Sequence, residues 1–395
     1  MINFLLTRLS LTFRRYVFSE FFLGLALGTG HLTSLRFMGK IGFSEILFLL
    51  VMLFLSIFHL KKVLTFSNTY ESLLRIYLLV TIFIVTPIVT SAVSLLTDYN
   101  SSIFHVISFM ISFALVFLLI EARKDGFSLK NVTLWFFLIY MGLHFFTYFI
   151  YSPENLRYSY VYTGGANNPN QIVYYSQSLS LLLAVFFKKQ ALFVLPLIIL
   201  LTLQVNSDAY YYGLYMAAGF YLFLQFIYIR KYSAEKNLLI FFIPIIMVIT
   251  IIFYIYSNDA ASIWEVAGGH GRSVLALNAL DVIASSPIVG YGIGSFSGKE
   301  LGVAFTGTEA HSNILDLTMN FGILFTLAVY FVMIKAVLIA VNRHDFFVAA
   351  FMISFIITGI FHYTARHFIF WVEFSMFYYY AFYLYKDKFI YSKSN

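Results

Sequence analysis

Apolar runs long enough to cross a lipid bilayer recur along almost the whole chain, and that recurrence restricts the fold more than any motif does. A hydrocarbon layer takes roughly 17–25 residues of helix. About twelve runs fit: 16–36, 42–60, 72–97, 102–120, 131–151, 169–187, 190–206, 209–229, 237–257, 311–334, 346–362 and 367–385. Of 395 residues, 61% are hydrophobic and 11% charged, with a mean hydropathy of +0.85. A soluble core of this size could not hide so much apolar surface, so the solvent has to be lipid. The expected fold is all-α: one polytopic membrane domain over 1–395, without a soluble domain, long linker, low-complexity tract or internal repeat.

Charge gives an independent test. If both termini are cytoplasmic, the segments between runs alternate sides. Nineteen of the 25 Lys and Arg then fall inside, and only Arg36, Lys40, Arg157, Arg272, Lys299 and Arg366 fall outside. A bias near three to one is what positive-inside topology demands. The basic N-terminus (Arg8, Arg14, Arg15) lacks a short apolar core followed by a small-residue cleavage site. It reads as a cytoplasmic flank rather than a removed signal. The absence of cysteine excludes disulfides and thiolate metal sites. The abundant Phe and Tyr carry no functional reading.

Two external loops stand out, about 152–168 and 258–310. The first holds Arg157 and the turn-rich GGANNPN from Gly164 to Asn170. In the second, Val274, Leu277, Leu280 and Ile283 at three-residue spacing predict a helix over Arg272–Ala284, lying along the membrane surface or capping the bundle. Ser286-Pro287 stops it. Gly290, Gly292 and Gly294 then let the backbone approach a ligand or a neighbouring helix. Long loops with ordered turns tend to carry function.

Three groups are candidates for chemistry. Arg272 at the start of the loop helix could bind an anion together with the free N–H groups there, or snorkel to lipid phosphate. His311 opens the tenth run, followed by Ser312, Asn313 and Asp316. It suits proton exchange near neutral pH, or it is an interface histidine paired with Glu309 or Asp316. Arg366 and His367, with His362 nearby, form a second anion site or an interface belt. His31, Arg36, His105 and His144 are read as packing or interface residues. No histidine shows metal-ligand spacing such as HExxH. The GxG turn follows no strand and precedes no phosphate-loop Lys, so neither a nucleotide site nor a cofactor is expected.

The run from Gly271 to Phe296, GRSVLALNALDVIASSPIVGYGIGSF, and then HSNILDLTMNFG from His311 to Gly322 resemble the signature region of the bacterial O-antigen polymerase and O-antigen ligase superfamily. There an Arg opens the external helix, a P-x-x-G-x-G turn follows, and His-(Ser/Asn)-x-x-L opens the next span. Arg272, Pro287, Gly290, Gly292, His311, Asn313, Leu315 and Gly322 stand in those places, and Asn168-Pro169-Asn170 looks like the family's mid-chain turn. The detailed match covers about 50 residues. The chain departs from the pattern at Asn206-Ser207-Asp208-Ala209, where many members carry a Ser-Arg pair. That departure moves a second pyrophosphate-binding Arg to Arg157 or Arg366 and weighs against the ligase branch.

The resemblance implies a metal-independent membrane glycosyltransferase of GT-C type in the bacterial inner membrane. It would be a polymerase that moves a glycan from undecaprenyl pyrophosphate onto a lipid-linked repeat unit on the external face. His311 and Arg272 would be catalytic, and Arg157, Asn170, Gly292, Asn313 and Arg366 would bind substrate. The partners would be the undecaprenyl-pyrophosphate-linked oligosaccharide, membrane lipid and, optionally, a chain-length regulator; nucleic acid is not among them. The alternatives are a ligase transferring glycan to lipid A core, and a flippase for the same lipid-linked oligosaccharide.

Overall fold

The computed structural model describes residues 2–32, 42–67, 69–96, 103–149, 156–157, 161–162, 169–188, 190–203, 208–229, 270–294 and 309–384. Among the described residues the chain is all-helical apart from a hairpin of two-residue strands. Its elements are α1 (Ile2–Thr29), α2 (Phe43–Val63), α3 (Tyr70–Leu96), α4 (Ile103–Lys124), α5 (Leu129–Phe149), β1 (Leu156–Arg157), β2 (Val161–Tyr162), α6 (Pro169–Phe187), α7 (Ala191–Leu203), α8 (Asp208–Ile229), α9 (His270–Ser285), α10 (Asn313–Phe321), α11 (Ile323–Asn342), α12 (Phe346–Phe361) and α13 (Phe368–Phe382). Among the described residues, five helical stretches are long and apolar enough to cross a bilayer: Phe43–Val63, Tyr70–Leu96, His105–Lys124, Leu129–Thr147 and Ile323–Asn342. The protein is thus of membrane type. The run at 237–257 lies outside the described residues.

Helix ends follow ordinary capping chemistry. At the start of α2 the Glu45 carboxylate accepts from the Gly42 N–H at 3.1 Å, and Lys61 and Lys62 close its last turn. Each charge sits at the end of the helix dipole that favours its sign.

The chain divides into two compact units. In the first (Met1–Asn68, Ile111–Leu214 and His367–Asn395), α1 lies against α5 through Gly24 and Gly28. A Cβ on Gly24 would stand 3.0 Å from the Val132 carbonyl, and one on Gly28 would stand 2.8 Å from Ile139 Cβ. This small-xxx-small face lets the two backbones approach, which is where packing energy comes from when lipid removes the hydrophobic drive. Glu20 fastens the same pair by accepting from Ser128 N–H at 2.6 Å and Asn131 Nδ2 at 2.8 Å.

The second unit (Thr69–Met110 and Tyr215–Arg366) holds α3, α9, α10, α11 and α12. A π-helical turn at Thr81–Val85 interrupts α3, with the Thr86 hydroxyl donating to the Thr81 carbonyl at 2.8 Å. One expectation needs correction here. The apolar run at 311–334 is not one helix: Gly322, at φ +82° and ψ 167°, ends α10 and begins α11, so the span starts at Ile323. The loop helix is observed as α9, and its Leu277 and Leu280 are 63% and 53% exposed. Its buried face is Ala279 and Val282, packed with Ala310 and Met319. Ala279 and Val282 therefore dock the helix, and the leucines stay on its exposed side.

Candidate functional site

The site is built on the α9–α10–α11 corner of the second unit. After α9, the Ser286 hydroxyl donates to the Gly290 carbonyl at 2.9 Å and closes the Ser-Pro turn. The following extended segment lies along the break between α10 and α11. Tyr291 N–H donates to the Met319 carbonyl at 2.7 Å, Gly292 N–H to the Asn320 carbonyl at 2.9 Å, and Ile323 N–H to the Pro287 carbonyl at 2.8 Å. Ile293 N–H donates to the Thr90 hydroxyl of α3 at 2.9 Å. Gly290 and Gly292 have φ of +72° and +79°. A Cβ on Gly290 would stand 2.6 Å from the Met319 carbonyl, and one on Gly292 would collide with Thr90. The glycine turn therefore serves helix contact. Gly292 sits within this corner.

At the other end of α10 a polar stripe is buried. Asn313, Asp316 and Asn320 recur at i, i+3 and i+7, which is one face of a helix. The Asn313 amide donates to the Thr364 hydroxyl at 2.7 Å and accepts from Ala365 N–H at 2.9 Å. Asn313 is thus a buried strut between α10 and the segment after α12. Asn320 Nδ2 donates to the Tyr363 hydroxyl at 2.9 Å. Asp316 accepts from the N–H groups of Ala310 and Ser312, each at 2.9 Å. Burial pushes its carboxyl up to about 7, helped by the nearby Glu309 and opposed by the hydrogen bond from Ser312 and the charge of Arg366. Burial also raises the Tyr363 hydroxyl, with Asp316 and Glu309 adding to it.

Above this stripe sit the charged groups. His311 has φ +56°, a left-handed conformation uncommon for a residue with a Cβ. Its side chain is 41% exposed, and Nδ1 lies 3.9 Å from the Glu309 carboxylate. One guanidinium nitrogen of Arg366 donates to both oxygens of Glu309, at 2.7 and 2.6 Å. His311, Glu309 and Arg366 thus form a single exposed cluster, with a cation and an imidazole joined through one carboxylate. Such a group can take a proton and hold negative charge within a few ångströms.

Of the predicted site residues, the structure brings His311, Arg366 and Asn313 together, with Gly292 on the turn that braces the far end of α10. The side chains of Arg157, Asn170 and Arg272 lie outside the described residues. Their backbones fall in β1, at the second position of α6 and at the third position of α9. His362 is buried, and the His367 ring lies 5.5 Å from that of Tyr174 in the first unit. Sequence reasoning passed over Thr90, Asn320, Tyr363 and Thr364. The i, i+3, i+7 polar stripe was the available signal for Asn320. No family model matches the chain, and no curated protein matches it.

Proposed function

We propose that the chain is a polysaccharide polymerase of the O-antigen type. In this reading it is an inner-membrane glycosyltransferase of GT-C-like architecture with about twelve spans and both termini cytoplasmic. It transfers a glycan from undecaprenyl pyrophosphate onto a lipid-linked repeat unit at the external face. One observation carries the reading: the segments that the sequence resemblance singles out, 287–292 and 311–322, are hydrogen-bonded into one scaffold whose exposed edge is the His311–Glu309–Arg366 cluster. A scaffold of buried hydrogen bonds under an exposed imidazole suits chemistry better than lipid contact does.

The reaction needs an acceptor hydroxyl to attack the anomeric carbon as the bond to pyrophosphate breaks. His311 accepts the hydroxyl proton, oriented through Glu309, and the leaving pyrophosphate collects charge that an Arg must meet. Arg366 is already held by Glu309, so a phosphate there competes with a carboxylate. That leaves Arg272 as the main clamp. Its helix packs through Ala279 and Val282 on Ala310, the neighbour of His311.

Arg272→Ala tests this. Removing one preorganised donor typically costs about 100- to 1,000-fold, so long-chain glycan should disappear while the protein inserts normally. Arg272→Lys should rescue poorly, because an ammonium lacks the planar fork. Wild-type chain length in Arg272→Ala would end the assignment.

The topology has its own test. Reporter fusions after Lys231 and after Ser262 should report opposite sides of the membrane. Both on one side would overturn the twelve-span arrangement.

A further inference from the structure

Asp316 is set one helical turn beyond His311, yet it touches the backbone on both sides of it. One carboxyl oxygen accepts from Ala310 N–H and the other from Ser312 N–H, both at 2.9 Å. The first N–H belongs to the Glu309–Ala310 peptide and the second to the His311–Ser312 peptide, so they bracket the residue held at φ +56°. That conformation costs about 1–2 kcal/mol for a residue with a Cβ, and it persists only where the surroundings over-determine it. Asp316 is 1% exposed and cannot itself meet a substrate. The Ser312 side chain makes no capping hydrogen bond, and Asp316 reaches back from within α10 to the N–H of that N-cap residue. Ordinary capping needs one acceptor near the first turn. Here two acceptors engage the two amides that bracket a single exposed imidazole.

From this geometry we infer that Asp316 is the positioning residue of the active site, a carboxyl clamp that fixes the backbone of His311 so that its imidazole is aimed at the acceptor hydroxyl. The inference rests on the assignment of His311 as the base. Asn313 and Asn320 fix α10 itself, through Thr364 and Ala365 at one end and Tyr363 at the other. Asp316 governs the direction of the residue before the helix. The groups that face it are Glu309 and Arg366 on the exposed side and Tyr363 beneath, so its charge is met by one cation and opposed by one carboxylate.

The test uses full-length protein in proteoliposomes supplied with undecaprenyl-pyrophosphate-linked repeat units, comparing wild type, Asp316→Asn, His311→Ala and the double variant. Asn keeps one acceptor and turns the other into a donor, so one flanking amide loses its partner. A misplacement near 1 Å can cost about 100-fold in rate. Asp316→Asn should therefore lower kcat by roughly that factor with KM unchanged. In the His311→Ala background it should lower kcat no further, because there is no imidazole left to aim. An equal loss in both backgrounds, or a rise in KM without loss of kcat, would make Asp316 a general structural residue and overturn the proposal. Full activity in His311→Ala alone would instead sink the assignment of the base. Asp316→Glu, which moves both oxygens by one methylene, carries the same comparison should Asp316→Asn not remain monodisperse. Misfolding of both variants would also overturn the proposal, since Asp316 would then serve folding alone.

Discussion

His311→Ala is expected to slow polymerisation by about 100- to 10,000-fold, the usual cost of losing a general base, and to leave single lipid-linked repeats accumulating. The factor corresponds to roughly 3–5 kcal/mol of transition-state stabilisation. The imidazole is 41% exposed, so its removal opens no cavity in the core. Glu309 keeps Arg366, and Asp316 keeps both flanking amides. Alanine at φ +56° carries a backbone cost only slightly above that of histidine, so stability should change little. Binding of the lipid-linked donor to purified protein should be retained, while turnover by the same preparation falls. His311→Gln separates two roles of the ring. Glutamine can orient a hydroxyl but cannot take its proton, so residual activity there would assign orientation a share of the effect. Turnover by His311→Ala at the wild-type rate would remove His311 from the mechanism.

Much of the helical framework is legible from hydropathy alone, because in lipid every backbone polar group must be satisfied within its own helix. The run at 42–60 is α2, 72–97 is α3, and the loop helix read over Arg272–Ala284 is observed at His270–Ser285. The break at Gly322 is not legible in that way. Ile314, Leu315, Leu317, Met319 and Phe321 keep the stretch apolar, and a glycine within such a run is compatible with a continuous helix. What breaks it is the Pro287–Gly292 segment, which supplies the hydrogen bonds that a continuing helix would have made. The approach of α1 to α5 could have been read from Gly24 and Gly28, which stand four apart.

Site partners divide the same way. His311 and Arg366 are visible as rare ionisable residues in an apolar sequence, and Glu309 as a nearby carboxylate. The pairing of Asn313 with Thr364, 51 positions away, is a property of the α10–α12 packing and has no local signature. The exposure of Leu277 and Leu280 follows from a choice between two faces of α9. Periodicity marks both but does not say which one meets protein.

Gly322→Ala is expected to destabilise the protein by about 2–6 kcal/mol, because it meets two separate penalties. At φ +82° and ψ 167° the residue lies in a region populated almost only by glycine, at a cost of order 1–3 kcal/mol for any other residue. Its Cβ would also collide with the Ile288 carbonyl. That atom belongs to backbone rather than to a flexible side chain, and its segment is pinned by the bond from Ile323 N–H to Pro287 at 2.8 Å. Overpacking of this kind adds about 1–3 kcal/mol. Gly142 is the internal control. It lies inside α5, and a Cβ added there would meet nothing within 4 Å, so Gly142→Ala should be neutral or stabilising by up to about 1 kcal/mol. Thermal unfolding of the two purified variants in one detergent measures the contrast. Gly322 also joins α10 to α11, so opening this corner should loosen the helix that carries Asp316. Activity of Gly322→Ala should therefore fall even at temperatures where the protein stays folded. Equal melting temperatures for the two variants would show that the Pro287–Gly292 segment does not lock the break, and the corner would then lose its place as the foundation of the site.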